Sequence, residues 1–440
     1  MNRREMSIVV AIMIFGLVLL QSGAALAENL QAIANPKELG FDRDRLERVT
    51  KVFQGYVDVG QLPGAVVLIA RNSKLGYLRA FGYQDREKRV GMTPSSIFRI
   101  ASMTKPITTT AAMMLVEEGK LDIAAPVSQY LPEFKDTQVG VEKRDANTGN
   151  TELVLEPQKR PMTVQDLMRH TAGLVYGQFG DGLIHKAYRA QNMMDRGQSL
   201  PEMVTKLSRL PLAHQPGEVW EYSMATDVLG RIIEVVSGVS LDSFVEERIT
   251  KPLGMQSTGF YVREPDVGRL VQPQVDPATG ERPEMPDVTH QPRWLSGGGG
   301  MVSTAADYLR FAEMLLHGGA TEETRLLASP TVKLMASNAL PPGIGYSERA
   351  RTMMADLAPT PTAGQGFGLG FAVRTAAGRN PLPGSVGTYY WTGAFGTTFW
   401  IDPKEKLIGI LMIQVPLASG SQYRRAMRNL TYQALLESPG

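Results

Sequence analysis

The order of two hydrophobic patterns along the chain limits its fold more than any other feature. Short apolar, strand-like runs at 64–71 and 75–83 lie near the start, and three more, at 367–374, 389–401 and 407–415, lie near the end. Between them apolar residues recur at helical spacing. An isolated two-stranded hairpin cannot bury its apolar face, so the two terminal groups of strands have to meet. This predicts a mixed α/β fold, with an antiparallel sheet built from the N- and C-terminal segments, flanked by helices, and an inserted, mostly helical domain. At 440 residues the chain exceeds the roughly 250–300 that one core usually serves, so two lobes are expected. We assign 28–100 and 362–440 to the sheet domain and 101–361 to the helical domain with its long loops.

Local signals place the elements. Asp42 caps a first helix that carries Leu46, Val49 and Phe53 and runs through Tyr56. Asn72-Ser73-Lys74 reads as a three-residue hairpin turn between the first two strands. A helix opens near Ser102 and stops at Gly119, a second is capped by Thr163 and Asp166 and ends near His170, and a third covers 225–236 before Gly238. Thr304 with Asp307 opens a fourth ahead of Tyr308, Phe311 and Leu315, and 422–436 reads as a closing helix. The stretch 139–155 alternates around Asn147-Thr148-Gly149 as a surface hairpin, whereas 263–293 and 341–364 read as long irregular loops.

Composition removes several chemistries. With no cysteine there is no disulfide, thiolate metal site, cysteine nucleophile or lipidated N-terminal Cys. The five histidines show neither HxxxH nor HxH spacing, so no metal site is proposed. Forty-six basic against 44 acidic residues give no footprint for nucleic acid. Arg3 and Arg4, an apolar run over 7–20 and Ala25-Leu26-Ala27 form a secretory leader with cleavage expected after Ala27. The run is short for a span of about 20 residues, although an uncleaved anchor is the alternative. The mature chain, from Glu28, is expected in the periplasm or outside the cell, with no membrane span.

Three segments carry chemistry. In Ser102-Met103-Thr104-Lys105 the serine and lysine lie on one helix face, one turn apart. A serine in a first turn sits among unpaired N–H groups at the positive end of the helix, which favours an oxyanion formed there. Lys105 accepts the serine proton only when neutral, and burial disfavours the charged form. Alone, the spacing fits an ordinary capped helix equally well. Tyr222, in Pro216-Gly217-Glu218-Val219-Trp220-Glu221-Tyr222-Ser223, stands just before a helix and is placed either to pass protons in a cleft or simply to pack. In Trp391-Thr392-Gly393-Ala394 the glycine admits close approach, and the Ala394 N–H is a partner for that of Ser102 in an oxyanion hole; an ordinary strand glycine is the alternative.

Together these segments resemble the serine β-lactamase and penicillin-binding-protein superfamily, most closely its β-lactamase-like (family VIII) carboxylesterases. The resemblance extends over Ser102 to Lys105, His170 to Leu174, Tyr222 to Met255, Gly298 to Arg310 and Phe367 to Phe371. It implies a cleft between sheet and helical domain, an acyl-enzyme on Ser102, proton work shared by Lys105 and Tyr222, and no cofactor. The expected substrate is a small-molecule ester or a β-lactam-like compound. Related β-lactamases carry Asn where this chain has Met224 and Lys where it has Trp391, and both changes remove polar groups that would meet a β-lactam. Ester cleavage, with possible transfer of the acyl group to alcohols, is therefore the expected activity. A β-lactamase or D-Ala-D-Ala carboxypeptidase, and a non-catalytic binding protein of the same fold, are the alternatives.

Other patterns carry less. His170-Thr171-Ala172-Gly173 reads as a helix end, no complete GxSxG motif occurs, and Gly297 to Gly300 lacks the Lys-Ser or Lys-Thr of a phosphate loop. Gly364, Gly366, Gly368 and Gly370 alternate as one bare face of a strand.

Overall fold

A computed structural model describes residues 33–145, 149–275, 280–352, 357–415 and 417–436. The leader, its cleavage site and Asn147-Thr148 fall outside the described residues. The fold is mixed α/β, with one eight-stranded antiparallel sheet flanked by helices.

The sheet joins both ends of the chain. Its strands are β1 (Gly64–Arg71), β2 (Lys74–Asp85), β3 (Val90–Gly91), β4 (Gln365–Phe367), β5 (Ala372–Arg374), β6 (Tyr389–Thr392), β7 (Thr398–Asp402) and β8 (Leu407–Met412), in the order β4-β5-β6-β7-β8-β1-β2-β3. The two halves meet at β1 and β8, where Val66 opposes Met412 and Arg71 opposes Leu407. Both strands are wholly buried, so their continuous apolar sequence has cover on each face.

Three strand expectations need correction. Asn72 and Ser73 both have positive φ (52° and 59°), so a two-residue turn joins β1 to β2 in place of the expected three-residue one. Two left-handed residues match the twist of the flanking strands. The run 367–374 is no single strand but part of a hairpin, β4 against β5, turning through Gly370 at φ 84°. The alternating glycines are therefore not one strand face. Each serves a separate need, as at Gly368, where a Cβ would run into the Met335 carbonyl. Likewise 389–401 is two strands, β6 and β7, turning through Gly396 at φ 93°.

Helices cover both faces. Neighbouring residues on a strand point to opposite sides. Phe399 of β7 packs on Tyr308 of α4 (Ala305–Leu316), with ring centroids 4.8 Å apart, while Trp400 stacks on Tyr432 of α5 (Leu417–Tyr432). Alongside α5 lies α1 (Arg43–Asp58), where Tyr56 meets Tyr423 edge-on. The closing helix thus starts and ends earlier than expected. Between the sheet's halves come α2 (Thr104–Glu117), buried from Thr104 to Leu115, and α3 (Ala225–Ser237) packed across it. A helix buried all round is a core element, which makes α2 a rigid mount for what precedes it.

The caps behave as expected at Asp42, Thr163 and Thr304, whose side chains accept from Arg45, Asp166 and Asp307 amides. The Thr163 helix closes at Met168, and the turn that follows uses His170 at φ 59°. The surface hairpin is present as Val139–Arg144 against Thr151–Glu156. The 341–364 segment is less irregular than its composition suggests. Gly345–Tyr346 pairs in parallel with Val219–Trp220, and a short helix, Glu348–Thr352, follows. Among the described residues no helix is long and apolar enough to cross a membrane.

Candidate active site

The site begins where the chain leaves the strand pair Phe98–Arg99 and Val302–Ser303. The Ile100 amide donates to the Met301 carbonyl at 3.0 Å, and the Thr397 hydroxyl donates to the Ile100 carbonyl at 3.3 Å. These ties hold Ala101 at φ 44°, a region costly for a residue with a Cβ. Ser102 follows in a 3₁₀ turn, Ala101–Met103, with α2 starting at Thr104, so it stands just ahead of the α-helix and not, as its spacing from Lys105 predicts, in the helix's first turn.

One turn on, Lys105 is buried at 1% exposure and its Nζ meets three oxygens. These are the Gly298 carbonyl at 2.6 Å, the Tyr176 hydroxyl at 3.1 Å and Ser102 Oγ at 3.3 Å. A carbonyl only accepts, so Gly298 always takes one N–H. A neutral amine has two N–H bonds and one lone pair. As an ammonium Lys105 donates to all three oxygens; once neutral, with Gly298 and Tyr176 accepting its two N–H bonds, it has the lone pair left for Ser102.

Tyr222 faces Lys105 with its ring, 4.6 Å from Nζ to the centroid. Its hydroxyl accepts a hydrogen bond from Trp391 Nε1 at 3.3 Å. The phenol hydroxyl bonded to Lys105 is thus that of Tyr176, a residue the sequence reading did not single out. Trp391 is 1% exposed, an apolar wall with its one donor turned to Tyr222. Gly393 lies against the Ser102 turn, where an added Cβ would come 2.5 Å from the Ile100 carbonyl oxygen. Ala394 follows in the turn between β6 and β7. Met224 immediately precedes α3, makes no side-chain cap to it and is fully buried in the core.

The electrostatics come from burial. Asp227 lies in α3, and burial pushes its carboxyl above the ordinary value against Lys105, Ser296 and the Gly298 amide. Burial drives the Tyr176 phenol well up, and Asp227 and Tyr222 add to the effect. His170 is pushed well below the ordinary imidazole value by burial and then by Lys105, so it is neutral; its ring tilts on Tyr222 at 4.8 Å. Phe179 stacks on Tyr222 and lines a cavity of about 800 Å³ with His185, His214, Glu221 and Arg349. Among the described residues no group of three or more His, Asp or Glu is arranged to hold a metal ion.

The structure brings Ser102, Lys105, Tyr222, Trp391 and Gly393 together, and adds Tyr176 and Asp227, to which the sequence analysis gives no role. An acidic residue on the apolar face of a helix was the available signal for Asp227. Gly298 opens one of the resemblance segments but carries no role there, and nothing in the 174–176 stretch marks Tyr176.

Similarity to known proteins runs along most of the chain. The family profile described as Beta-lactamase matches residues 49–432. Esterase EstB of Burkholderia gladioli is 31% identical, over 84% of this chain and 91% of that protein. The lovastatin esterase of Penicillium rubens is 30% identical, over 83% of this chain and 92% of its own length. Among solved structures, EstCE1, described as a hydrolase with promiscuous acyltransferase activity, superposes with a TM-score of 0.73 at 28% identity, covering 88% of this chain and 99% of that one. With the sheet joined from both chain ends, the serine and lysine on one turn beneath it, and relatives matched along nearly their whole length, this protein belongs to the β-lactamase family, as a hydrolase of that fold.

Proposed function

We propose that this protein is an exported serine carboxylesterase that works through an acyl-enzyme on Ser102. The observation that carries the reading is the triple contact of Lys105, which in the neutral amine leaves the direction toward Ser102 Oγ for the lone pair. Lys105 takes the Ser102 proton as Oγ bonds to the ester carbonyl carbon. The negative charge on the carbonyl oxygen is met by the amides of Ser102 and Ala394. Collapse of the tetrahedral adduct breaks the bond to the alkoxide, which receives a proton from Tyr222 and leaves as the alcohol; the proton that Lys105 took from Ser102 then passes to the Tyr222 phenolate, so that both groups are neutral again. Water, or a second alcohol, then repeats the sequence on the acyl-enzyme, releasing an acid or a new ester. The promiscuous acyltransferase activity in the description of the hydrolase EstCE1 supports the second outcome.

Esters are favoured over β-lactams because the indole of Trp391 and the thioether of Met224 stand where related β-lactamases place Lys and Asn. A β-lactam carboxylate left unpaired in a buried site is costly, whereas an uncharged acyl or alkyl group fits an apolar wall. Kinetics on p-nitrophenyl esters of short acids beside nitrocefin tests this. Esters are expected to turn over readily and nitrocefin weakly or not at all. A nitrocefin kcat/KM equal to that of the best ester refutes the preference. Export is checked by the intact mass of envelope material, which is expected to begin at Glu28; retention of Met1 in a membrane fraction refutes it.

A further inference from the structure

Asp227 lies five positions beyond Tyr222, in the first turn of α3, and is 1% exposed. A carboxylate in such surroundings is costly unless hydrogen-bonded, and a well-packed apolar residue would serve stability as well or better. Two donors reach it from one loop. Ser296 Oγ donates to Oδ1 at 2.5 Å and the Gly298 amide donates to the same oxygen at 3.2 Å. A third tie, from Thr108 Oγ1 to the Gly297 carbonyl at 2.8 Å, fixes the loop to α2.

This loop contains four successive glycines, Gly297 to Gly300. The glycine at 298 is required by space, since an added Cβ would run into Asp227 Oδ2 and come 3.1 Å from the Tyr176 hydroxyl. Glycine is also the residue with the most backbone freedom, so the loop has little stiffness of its own. Yet Gly298 has to aim its carbonyl at Lys105 Nζ, 2.6 Å away. The same residue is gripped at its N–H by Asp227 and grips the lysine with its C=O.

We propose that Asp227 is a positioning residue for the site: by clamping Ser296 and Gly298 it holds the Gly298 carbonyl on Lys105 and so turns the lysine lone pair toward Ser102. This rests on the reading of Lys105 as the base. The clamp needs an acceptor oxygen, which Asn also supplies, and Ala removes it.

The test measures kcat and KM on a p-nitrophenyl ester for Asp227→Ala, Asp227→Asn, Ser296→Ala and Lys105→Ala, with thermal unfolding of each. Asp227→Ala is expected to lower kcat about 30- to 100-fold with KM within about threefold, the range that misplacement by about 1 Å produces. Asp227→Asn is expected to restore kcat to within about threefold of wild type, and Ser296→Ala to lose about three- to tenfold. Asp227→Ala with near wild-type kcat overturns the proposal, as does Asp227→Asn as inactive as Asp227→Ala. If Asp227→Ala fails to fold, Ser296→Ala with unchanged kcat overturns it instead. Lys105→Ala separates this claim from the one beneath it. If that variant keeps more than a tenth of wild-type activity, the base assignment falls and the clamp with it. If it is inactive while Asp227→Ala is active, only the clamp falls.

Discussion

Replacing Gly393 by Ala is a one-methyl perturbation aimed at the contact between sheet and nucleophile. The new Cβ would run into Thr397 Oγ1 and lie 2.5 Å from the Ile100 carbonyl oxygen, where ordinary contact begins near 3.4 Å, so at least about 0.9 Å has to be recovered by movement. The neighbours give little. Ile100 is tied to Met301 and Thr397, and Thr397 is itself fully buried. The end of β6 therefore backs away from the Ser102 turn and carries the Ala394 amide with it. An oxyanion donor works at about 2.7–3.1 Å, and losing one costs about 100- to 1,000-fold in kcat. We expect kcat/KM on p-nitrophenyl butyrate at 25 °C to fall about 100-fold. Overpacking of about 1–3 kcal/mol should lower the thermal midpoint by only a few degrees, leaving the variant folded in the assay. Gly91→Ala is the control: nothing lies within 4 Å of the added methyl, and it should keep the wild-type rate. A Gly393→Ala enzyme with a third or more of wild-type kcat/KM refutes the reasoning.

Two further outcomes follow from single contacts. Trp391→Phe removes the donor to the Tyr222 hydroxyl, a bond worth about 0.5–1.5 kcal/mol, so kcat on esters should fall about two- to tenfold; an unchanged kcat removes that bond from the mechanism. At Asp166 burial pushes the carboxyl up, but hydrogen bonds from Arg160, the Thr163 amide, Arg169 and Thr171 outweigh it and hold the group at about 2. A folded value below the ordinary 3.8 means stability present above pH 4 and lost as pH falls from 4 to 2, about 2 kcal/mol in all. Denaturant unfolding should show Asp166→Asn less stable than wild type at pH 6 by about that amount, with the gap closing toward pH 2; a gap that does not change with pH contradicts this.

What is legible in the sequence is what local physics determines. The caps at Asp42, Thr163 and Thr304 declare themselves because a side-chain oxygen and an amide three residues on suffice to make them. Ser102 and Lys105 are legible for the same reason, as helix spacing alone brings them together. The joining of the chain ends is legible from the order of strands and helices. Glycine-rich strands are harder. A strand glycine at period two and a hairpin glycine at positive φ look alike in sequence, which is why β4 and β5, and β6 and β7, were read as single strands. The surroundings of Lys105 are hardest, because Tyr176, Gly298 and Tyr222 come from three distant segments and their meeting depends on tertiary packing. The Arg160, Asp166 and Arg169 cluster is intermediate. Its Asp is legible as a cap, but not as the anchor of two guanidinium groups.

Intact-mass spectrometry after treatment with a fluorophosphonate asks whether Ser102 is the nucleophile. Wild-type protein should gain the mass of one phosphonyl group, mapped by peptide sequencing to Ser102. Ser102→Ala should gain nothing, should lose hydrolysis of every ester tested, and should unfold within a degree or two of wild type. An adduct that persists in Ser102→Ala, or that maps to any other residue in the wild type, contradicts the account.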